Sequence, residues 1–460
     1  MIQPSASHPV AVIGAGPVGL AALAHLIEHG LPAILLEAGP GIARSYEDFR
    51  HVRLFSPWRF NLDAAATRLL QGRGWQAPDG EGLPSAGEVI DDYLAPLAAL
   101  PDMAARIRFR TRVAAISRRG TDRVKSAGRD DAPFVLHVRT DVGTGIIQAS
   151  AVIDASGTWT QPNPLGADGL PAPGEAELAA HIRYGMPDIL GADRHRYAGR
   201  SVLVVGGGHS AAGNLLTLAE LARHAPTTRI AWAIRGTAPA RALGGGAADG
   251  LPARGAIGAA LRELLDAGRI RLVADFRISA LDRDDGQITI HPEDPLTPSI
   301  TAIDEIICAT GARPDLTMLR ELRTTFDPTL ESSAALGPLI DPNVHSCGTV
   351  RPHGHRELAH PEPGLFIVGA KSYGRAPTFL MATGYEQVRS VVAALAGDLD
   401  AADAVRLILP ETGVCSTDTD GDSGDNCCPP VALQAKAPER NTGAARCCEP
   451  SSTPTRACCR

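Results

Sequence analysis

Residues Pro9-Val-Ala-Val-Ile13-Gly14-Ala-Gly16-Pro-Val-Gly19 form a short apolar run that ends at three spaced glycines. Residues 17–30 then carry apolar side chains at helical spacing, and residues 33–36 form a second apolar run. A buried strand, a glycine loop, a helix and another buried strand in this order make a β-α-β unit. The sequence therefore predicts that the fold begins with a unit that binds a dinucleotide.

The three glycines and one acidic residue give this first loop its chemistry. Gly14 permits a tight turn, Gly16 admits a pyrophosphate, and Gly19 lets the helix pack against the strand. Glu37 follows the second strand, 18 residues after Gly19. A carboxylate at this position accepts hydrogen bonds from ribose hydroxyls and repels a 2′-phosphate. The first loop is therefore predicted to bind FAD or NAD rather than NADP.

The same pattern returns later in the chain. An apolar strand at residues 201–205 leads into a glycine loop, a helix from about Ser210 to His224, and a strand at residues 229–234. Arg235 follows that strand where an acid would otherwise stand, and a guanidinium suits a 2′-phosphate. NADPH is therefore the favoured second dinucleotide, with an ordinary surface ion pair of Arg235 as the alternative. The loop residues predicted to contact it are Gly206, Gly208, Ser210 and Ala211.

The two units predict an α/β fold with two Rossmann-like, three-layer nucleotide-binding domains, one inserted into the other. Residues 1–165 and 300–400 are expected to form a discontinuous domain around the first loop. Residues 190–298 are expected to form the inserted domain around the second loop. Residues 410–460 are rich in Thr, Asp, Gly, Pro and Ser, so a flexible tail is expected there.

Composition and charge restrict the class of ligand. The chain has 460 residues, a net charge of −7 and 4% aromatic residues, and its acidic and basic side chains are intermixed. Binding to nucleic acid needs a basic face and stacking platforms, so a small-molecule substrate is expected instead. No apolar stretch reaches the roughly 18 residues of a membrane span, and residues 1–9 are too short and polar for a signal peptide. A cytoplasmic protein without membrane or nucleic-acid partners is expected, and the sequence assigns no oligomeric state.

Three further motifs extend the pattern beyond the two glycine loops. They are Asp154-Ala-Ser-Gly157-Thr-Trp159, Ile307-Cys-Ala-Thr-Gly311-Ala-Arg-Pro314 and Gly364-Leu-Phe-Ile-Val-Gly369. With them, residues 8–398 resemble the two-dinucleotide flavoproteins of the flavin-containing monooxygenase and thioredoxin-reductase-like group. The resemblance implies FAD at the first loop and NADPH at the second. It also places a second crossing between the two domains at residues 307–314. Gly157, Gly311 and Gly369 are placed among the cofactor-binding residues.

Other segments refine what the resemblance implies. Gly384-Tyr385-Glu386-Gln387 is expected at the flavin pyrimidine edge, where a helix dipole could stabilise negative charge, and Tyr385 and Gln387 are assigned to that contact. The alternative is that Gly384 only ends a turn and Tyr385 only packs. A helix is predicted from about Glu88 to Leu100. Arg53-Leu-Phe-Ser-Pro57 and Glu88-Val-Ile-Asp-Asp-Tyr-Leu94 are more similar to monooxygenases than to reductases. These segments favour an NADPH-dependent monooxygenase that acts on a small soft nucleophile or an (organo)arsenical.

An NADPH-dependent flavin reductase of an external disulfide or of a thiol-bound metal(loid) is the alternative enzyme. A flavin that reduces a disulfide needs a dithiol beside its ring, and residues 1–400 contain no CxxC or CxxxxC pattern. Cys308 and Cys347 are isolated thiols, which are predicted to be buried as small apolar residues. The sequence assigns no catalytic acid, base or nucleophile.

Seven of the nine cysteines lie in the last tenth of the chain. Adjacent thiolates chelate soft ions such as arsenite, organoarsenicals, mercury or cuprous copper. The tail resembles the terminal cysteine pair of mercuric reductase, and the body resembles flavin monooxygenases associated with arsenic resistance. A metal(loid)-binding tail is predicted, while a metal(loid)-binding or delivery protein and an unconstrained tail are the alternatives. The six paired ligands are Cys427, Cys428, Cys447, Cys448, Cys458 and Cys459.

A stretch of histidines before residue 361 also contains residue types that bind metals. Its spacing fits no zinc pattern, so a polar loop over the active site is the favoured interpretation. The residues concerned are His345, Cys347, His353, His355 and His360.

Overall fold

The strands of the structure follow the apolar runs of the sequence, because a strand that is buried on both faces carries apolar side chains throughout. The computed structural model describes residues 3–244, 249–344, 350–376 and 379–407, which all belong to one compact unit. The strands are β1 (Val10–Ile13), β2 (Ala33–Leu36), β3 (Ile107–Arg108), β4 (Arg112–Arg118), β5 (Phe134–Thr140), β6 (Gly143–Ala149), β7 (Ala151–Asp154), β8 (Ile182–Tyr184), β9 (Ser201–Val205), β10 (Arg229–Ala233), β11 (Arg271–Val273), β12 (Ile278–Asp284), β13 (Gln287–Pro292), β14 (Ile300–Ile303), β15 (Glu305–Cys308) and β16 (Leu365–Ile367).

Helices connect and cover these strands. They are α1 (Pro17–Glu28), α2 (Arg44–Asp48), α3 (Ala64–Gln71), α4 (Ala86–Glu88), α5 (Ala95–Ala98), α6 (Pro101–Ala104), α7 (Arg194–Tyr197), α8 (His209–His224), α9 (Ala240–Leu243), α10 (Pro252–Asp266), α11 (Gly337–Ile340), α12 (Met381–Leu395) and α13 (Leu399–Asp403). Short 3₁₀ turns occur at Trp58–Phe60, Ala179–His181, Thr317–Leu319 and Gly369–Tyr373. Within the described ranges, no helix combines the length and the apolar character needed to cross a membrane.

The first parallel sheet has the strand order β16-β7-β1-β2-β3. Its register aligns Ile13 of β1 with Leu36 of β2 and with Asp154 of β7, and Asp154 in turn with Ile367 of β16. The carboxyl ends of these four strands therefore lie at one edge of the sheet. Ligands of open parallel sheets bind in the crevice at this edge.

The second parallel sheet has the strand order β11-β10-β9-β15-β8. Its register aligns Val205 of β9 with Ala233 and Cys308, so that the second glycine loop also begins at the carboxyl edge of its sheet. The chain leaves the first sheet after β7, builds the second sheet, and returns to the first through β16. The predicted pair of Rossmann-like α/β units is confirmed.

Alternate side chains of each central strand face two different layers. In β1, Val12 packs with helices α1 and α12, whereas Ile13 packs with the antiparallel sheet β4-β5-β6. In β9, Val204 packs with α8 and α10, whereas Val205 packs with the antiparallel sheet β12-β13-β14. Each unit therefore has helices on one face of its parallel sheet and an antiparallel sheet on the other, which makes three layers.

The two segments that cross between the parallel sheets pair with each other. The Asn163 N–H donates to the Gly311 carbonyl at 2.9 Å, and the Arg313 N–H donates to the Gln161 carbonyl at 2.9 Å. These bonds flank an antiparallel bridge that lies between them. The segment at residues 307–314 thus lies beside the first crossing, where the resemblance had placed a second crossing between domains.

The helical segment predicted near residues 88–100 is present, but it is irregular. Ser85 and Glu88 form a reciprocal cap, in which each side chain accepts a hydrogen bond from the backbone N–H of the other. After α4 the chain forms a π-helix at Val89–Leu94 and then continues as α5. The segment therefore ends at Ala98, two residues earlier than predicted.

Candidate functional site

The first glycine loop forms an open cradle between β1 and α1. Gly14 has a φ of +99°, and a Cβ there would lie 2.8 Å from the Ala155 carbonyl oxygen. A Cβ on Gly19 would lie 1.9 Å from the Gly14 carbonyl oxygen, so only glycine lets α1 start this close to β1. At Gly16, by contrast, no neighbouring atom of the described residues lies within 4 Å of the Cβ position. The cradle therefore has room for a diphosphate beside unpaired helix N–H groups.

Glu37 braces this cradle from the end of β2. Its Oε2 accepts a hydrogen bond from the Ala15 N–H at 2.7 Å, and its Oε1 accepts one from the Gly39 N–H at 2.6 Å. Each carboxylate oxygen has a further lone pair, which can accept a ribose hydroxyl. The fold thus brings Glu37 into direct contact with the first loop, 22 residues away along the chain from Ala15.

The second glycine loop forms a similar cradle between β9 and α8. Gly206 has a φ of +130°, and a Cβ there would lie 2.3 Å from the Ala309 carbonyl oxygen. Gly208 is the N-cap residue of α8, and among the described residues no neighbouring atom lies within 4 Å of its Cβ position. Ser210 is half-buried and Ala211 fully buried in the first turn of the helix. The structure therefore brings all four predicted loop residues to one helix N-terminus.

Arg235 lies just after β10, which pairs with β9 of the second cradle, and its side chain is exposed. Nη1 of its guanidinium group donates a hydrogen bond to the Ala167 carbonyl at 3.1 Å. Within the part of the chain that the structure describes, no carboxylate lies within ion-pair distance of this guanidinium. Among the described residues, Arg235 therefore does not form the surface ion pair that was the alternative interpretation.

Three predicted glycines adopt left-handed backbone conformations at the ends of strands or in the crossing. Gly157, Gly311 and Gly369 have φ values of +71°, +86° and +70°. A Cβ on Gly369 would lie 3.3 Å from the side chain of Val18 in α1, so this turn packs against the helix of the first cradle. Gly311 lies instead in the paired crossing segments.

A buried ion pair joins the turns that follow β7 and β16. The Lys371 ammonium lies 2.7 Å from an Asp154 carboxylate oxygen and donates a hydrogen bond to the Ser156 Oγ at 3.0 Å. The two charged side chains are 1% and 0% exposed. Sequence reasoning assigned no role to either residue, although Lys371 follows the Gly364–Gly369 motif by two residues. The pair fixes two turns at the carboxyl edge of the first sheet.

Tyr385 and Gln387 lie in the first half of α12 and are buried. The Tyr385 hydroxyl donates to the Asn61 carbonyl at 3.0 Å, and the Gly369 N–H donates to the Gln387 Oε1 at 2.7 Å. Burial raises the pKa of Tyr385 well above its ordinary value, so its hydroxyl stays a donor. Asn61, which sequence reasoning missed, is itself buried and donates to the Ser56 carbonyl at 2.8 Å. These hydrogen bonds connect α12 to the Gly369 turn and to residues 56–61.

Cys308 is the cysteine that the described residues contain, and it is buried. Burial raises the pKa of its thiol to about 12, and its Sγ lies 3.2 Å from the Thr310 hydroxyl. Among the described residues, no group of three or more His, Cys, Asp or Glu could hold a metal ion. The remaining cysteines with predicted roles lie outside the described residues: Cys347, Cys427, Cys428, Cys447, Cys448, Cys458 and Cys459.

Comparisons with known proteins agree with this architecture. A family model described as pyridine nucleotide-disulphide oxidoreductase matches residues 11–335, more than half of the chain. No curated protein sequence matches. Among solved structures, a bacillithiol disulfide reductase from Bacillus cereus has a TM-score of 0.62 at 17% identity, covering 85% of this chain and 99% of that chain.

Two monooxygenase structures share the fold as well. The FAD-bound cadaverine monooxygenase of desferrioxamine biosynthesis from Erwinia amylovora has a TM-score of 0.61 at 14% identity, covering 89% of this chain and 99% of that one. A flavin-containing monooxygenase from Stenotrophomonas maltophilia has a TM-score of 0.53 at 21% identity, covering 85% and 98%. At these identities the likeness establishes the shared fold.

The family match includes both glycine cradles, the acid that braces the first and the arginine that follows β10. It also includes both crossings between the sheets. The motifs, the three-layer architecture and the family model therefore agree. The chain belongs to the pyridine nucleotide-disulphide oxidoreductase family.

Proposed function

We propose that this chain is an oxidoreductase that holds FAD in the first cradle and NADPH in the second. The observation that carries the proposal is the pair of glycine cradles at the carboxyl edges of two parallel sheets, one braced by Glu37 and the other followed by an exposed Arg235. Bound flavin supplies hydride acceptance and onward electron transfer. The protein binds and orients the two cofactors.

The first cradle suits FAD in shape and charge. The space at Gly16 accommodates a diphosphate, and the N-terminus of α1 favours its negative charge. The Glu37 carboxylate accepts ribose hydroxyls and disfavours a 2′-phosphate. Gly157, Gly369, Tyr385 and Gln387 complete our proposed FAD-contacting region, with Gly311 at the crossing beside it.

The second cradle suits NADPH, because the Arg235 guanidinium has donors left for a 2′-phosphate after its bond to Ala167. A charge-assisted hydrogen bond contributes about 1.5–3 kcal/mol, so Arg235→Ala is expected to raise KM for NADPH about ten- to a hundredfold. Arg229, exposed at the other end of β10, is the matched control, and Arg229→Ala is expected to leave KM unchanged. Equal efficiency of NADPH and NADH with the wild-type protein would refute this assignment.

We further propose that the enzyme is a monooxygenase acting on a small soft nucleophile or an (organo)arsenical. Two electrons come from NADPH, one atom of O₂ enters the substrate, and the other leaves as water. The resemblance of residues 53–57 and 88–94 to monooxygenases supports this. The two segments lie beside each other, because Arg53 Nη1 is 3.7 Å from the Glu88 carboxylate. Cys308 also supports it, because it is the cysteine of the described residues, and burial raises the pKa of its thiol, which disfavours the thiolate that a flavin-linked dithiol needs.

The main alternative is an NADPH-dependent reductase of an external disulfide or a thiol-bound metal(loid). The structural likeness to bacillithiol disulfide reductases favours it. An oxygen electrode with NADPH distinguishes the two reactions. A monooxygenase consumes one O₂ per NADPH, and a thioether or a trivalent phenylarsenical lowers the hydrogen peroxide formed. Undiminished NADPH oxidation without oxygen, with a disulfide as acceptor, would establish the reductase instead.

We propose that the six paired tail cysteines, which lie outside the described residues, bind a thiophilic metal(loid). Titration calorimetry of the full chain with arsenite tests this against a variant with serine at all six positions, with Cys308→Ser as the control. Binding that survives in the six-serine variant would contradict the proposal. A metal(loid)-binding or delivery protein without an enzymatic role is the remaining candidate. It predicts that an Arg235 substitution that abolishes NADPH use leaves arsenic resistance of a host cell unchanged, whereas an enzyme predicts its loss.

The two parallel sheets also bear on how the chain is divided into domains. We propose residues 1–165 and 300–400 as the FAD-binding domain and residues 190–298 as the inserted NADP-binding domain, with residues 410–460 as the cysteine-rich tail. Sheet membership supports an inserted domain but with wider bounds, because β9, β10 and β11 of the second parallel sheet lie within residues 190–298, whereas β8 (Ile182–Tyr184) and β15 (Glu305–Cys308) of the same sheet lie just outside them.

A further inference from the structure

The side-chain amide of Gln387 has one possible orientation. Gln387 is 0% exposed, and the Gly369 N–H lies 2.7 Å from one end of its amide. A backbone N–H can only donate, so the amide oxygen must face Gly369 and the NH₂ group must face the other way. The opposite orientation of the Gln387 amide, with its oxygen and nitrogen exchanged, is therefore excluded, because the Gly369 N–H can only donate.

The NH₂ group of Gln387 then needs two acceptors. One is the Ser372 Oγ at 2.9 Å, which is free to accept because its own hydrogen is donated to the Gly369 carbonyl at 2.7 Å. The other is the His353 Nε2 at 2.8 Å. A ring nitrogen that accepts a hydrogen bond carries no proton, so Nε2 of His353 is unprotonated.

The second ring nitrogen of His353 agrees with this assignment. Its Nδ1 lies 3.0 Å from the Arg351 carbonyl oxygen, which can only accept, so Nδ1 carries the proton. His353 is thus neutral, with one defined tautomer. The Gln387 NH₂ group thus donates to His353, and His353 donates to the Arg351 carbonyl. If either hydrogen bond were reversed, two donors or two acceptors would face each other.

The surroundings of His353 favour the neutral ring. It is 4% exposed, and the Tyr373 ring centroid lies 5.5 Å away. The charged groups facing it are Glu357 on its own segment and Glu386 on α12, which is paired with Arg389 at 2.6 Å. Burial lowers the pKa of His353 and outweighs the backbone hydrogen bond and the two carboxylates, which raise it.

The turn held by Gln387 touches the first cradle directly. A Cβ on Gly369 would lie 3.3 Å from Val18, two residues after Gly16, and a Cβ on Gly384 would lie 2.7 Å from the same side chain. The other end of the turn is tied to Ser156 through Lys371. A change in the orientation of the Gln387 amide would therefore alter the packing of the turn against α1.

We propose that His353 is a positioning residue for the flavin site, whose neutral imidazole holds the Gln387 amide against the Gly369 turn and whose protonation releases that turn and weakens FAD binding. This inference rests on the proposed function, because it takes FAD as the ligand of the first cradle. His353 does not contact the reacting atoms. It acts through Gln387, and it makes cofactor retention sensitive to acid.

The direction of the pH effect follows from linkage. Protonated His353 would point an N–H at the NH₂ of Gln387, so protons favour the released state and FAD favours the neutral one. An ordinary histidine has a pKa of about 6.5, so retention is complete above that pH and is lost as the pH falls below it. When His353 is protonated, its Nε2–H faces the NH₂ group of Gln387, and the hydrogen bond between them is lost. We therefore expect FAD to be released roughly tenfold faster at about pH 5.5 than at about pH 8.

Release of FAD from the diluted holoprotein, followed by flavin fluorescence, tests the proposal. His353→Gln offers an acceptor that does not titrate and should remove the tenfold acid effect, whereas His353→Lys should release FAD quickly at both pH values. His355→Gln is the control, because His355 bonds to Ser390 instead, and it should keep the wild-type profile. Equal acid sensitivity of the wild type and His353→Gln would overturn the inference.

A second measurement is independent of the cofactor. In ¹⁵N-histidine spectra assigned with His353→Gln, we expect the Nδ1-protonated tautomer, and the Nε2-protonated tautomer would overturn the inference. A folded wild-type protein that binds no FAD at about pH 8 would instead refute the proposed function, and this inference with it. The two failures are therefore distinguishable.

Discussion

Replacing Glu362 with Gln is predicted to destabilise the fold, because this carboxylate compensates two buried arginines. Arg118 Nε donates to it at 2.8 Å and an Arg129 nitrogen donates at 2.9 Å, and all three side chains are 0% exposed. Glu362 precedes β16, the strand that leads to the Gly369 turn, while Arg118 ends β4. The cluster therefore anchors the returning strand to the antiparallel sheet.

The size of the effect follows from burial. Removing one partner of a buried ion pair costs about 3–5 kcal/mol, because the remaining charge stays uncompensated in the interior. Each arginine keeps two backbone partners: Arg118 donates to the Ala132 carbonyl at 2.7 Å and to the Pro363 carbonyl, and Arg129 donates to the Asp122 carbonyl at 2.6 Å and the Glu321 carbonyl at 2.9 Å. We therefore expect a loss near the lower end, about 3 kcal/mol in the free energy of unfolding.

The pH dependence of this loss has a defined sign. Burial alone would raise the pKa of Glu362, but hydrogen bonds from Arg129, the Arg323 N–H and Arg118 lower it below its ordinary value. A carboxyl whose folded pKa is depressed contributes stability above its unfolded pKa of about 4.3, and that stability is lost as the pH falls through the folded pKa. The difference between the wild type and Glu362→Gln should therefore shrink below about pH 4.

Urea unfolding followed by circular dichroism at about pH 7 and about pH 3 measures both quantities. The control is Asp403→Asn, which breaks an Arg356–Asp403 pair of similar geometry, 2.6 Å long, whose side chains are 66% and 41% exposed. An exposed pair contributes about 0–1 kcal/mol, so this variant should lose little stability. Equal losses in the two variants, or a loss for Glu362→Gln that grows as the pH falls, would refute the reasoning.

The remaining predictions concern single positions. Gly206→Ala should raise KM for NADPH at least about tenfold while FAD content stays unchanged, because its Cβ would lie 2.3 Å from the Ala309 carbonyl oxygen at a φ of +130°; absorbance at the flavin band and steady-state kinetics measure both. Cys308→Ser should leave NADPH oxidation within about twofold of wild type, since burial raises the pKa of that thiol to about 12; a large loss would favour the dithiol reductase. Lys371→Met should cost about 3–5 kcal/mol in urea unfolding by stranding the Asp154 carboxylate, and adding Asp154→Asn should recover most of it; no recovery would contradict the pairing.

The local pattern of apolar residues was enough to predict the strands and helices at the centre of the fold. The apolar runs at residues 10–13, 33–36 and 201–205 became buried parallel strands, and the helices after the glycine loops begin within one residue of their predicted starts. Such segments are predictable because side-chain periodicity records which faces are buried. The irregular helix at residues 86–98 was predicted in kind but not in detail, since a π-turn leaves no periodic signal.

The sequence by itself determined the two dinucleotide cradles and the contrast between Glu37 and Arg235, because a glycine loop needs only residues that are neighbours along the chain. Tertiary structure alone decided which side chains support those cradles. Glu362 meets Arg118 across 244 residues, and Gln387 meets His353 across 34. Contacts between distant segments depend on how complete layers pack, and the composition of each segment taken alone does not encode their partners. For that reason the sequence predicted the cradles, and only the structure showed that a neutral histidine stands behind the turn that packs on the first of them.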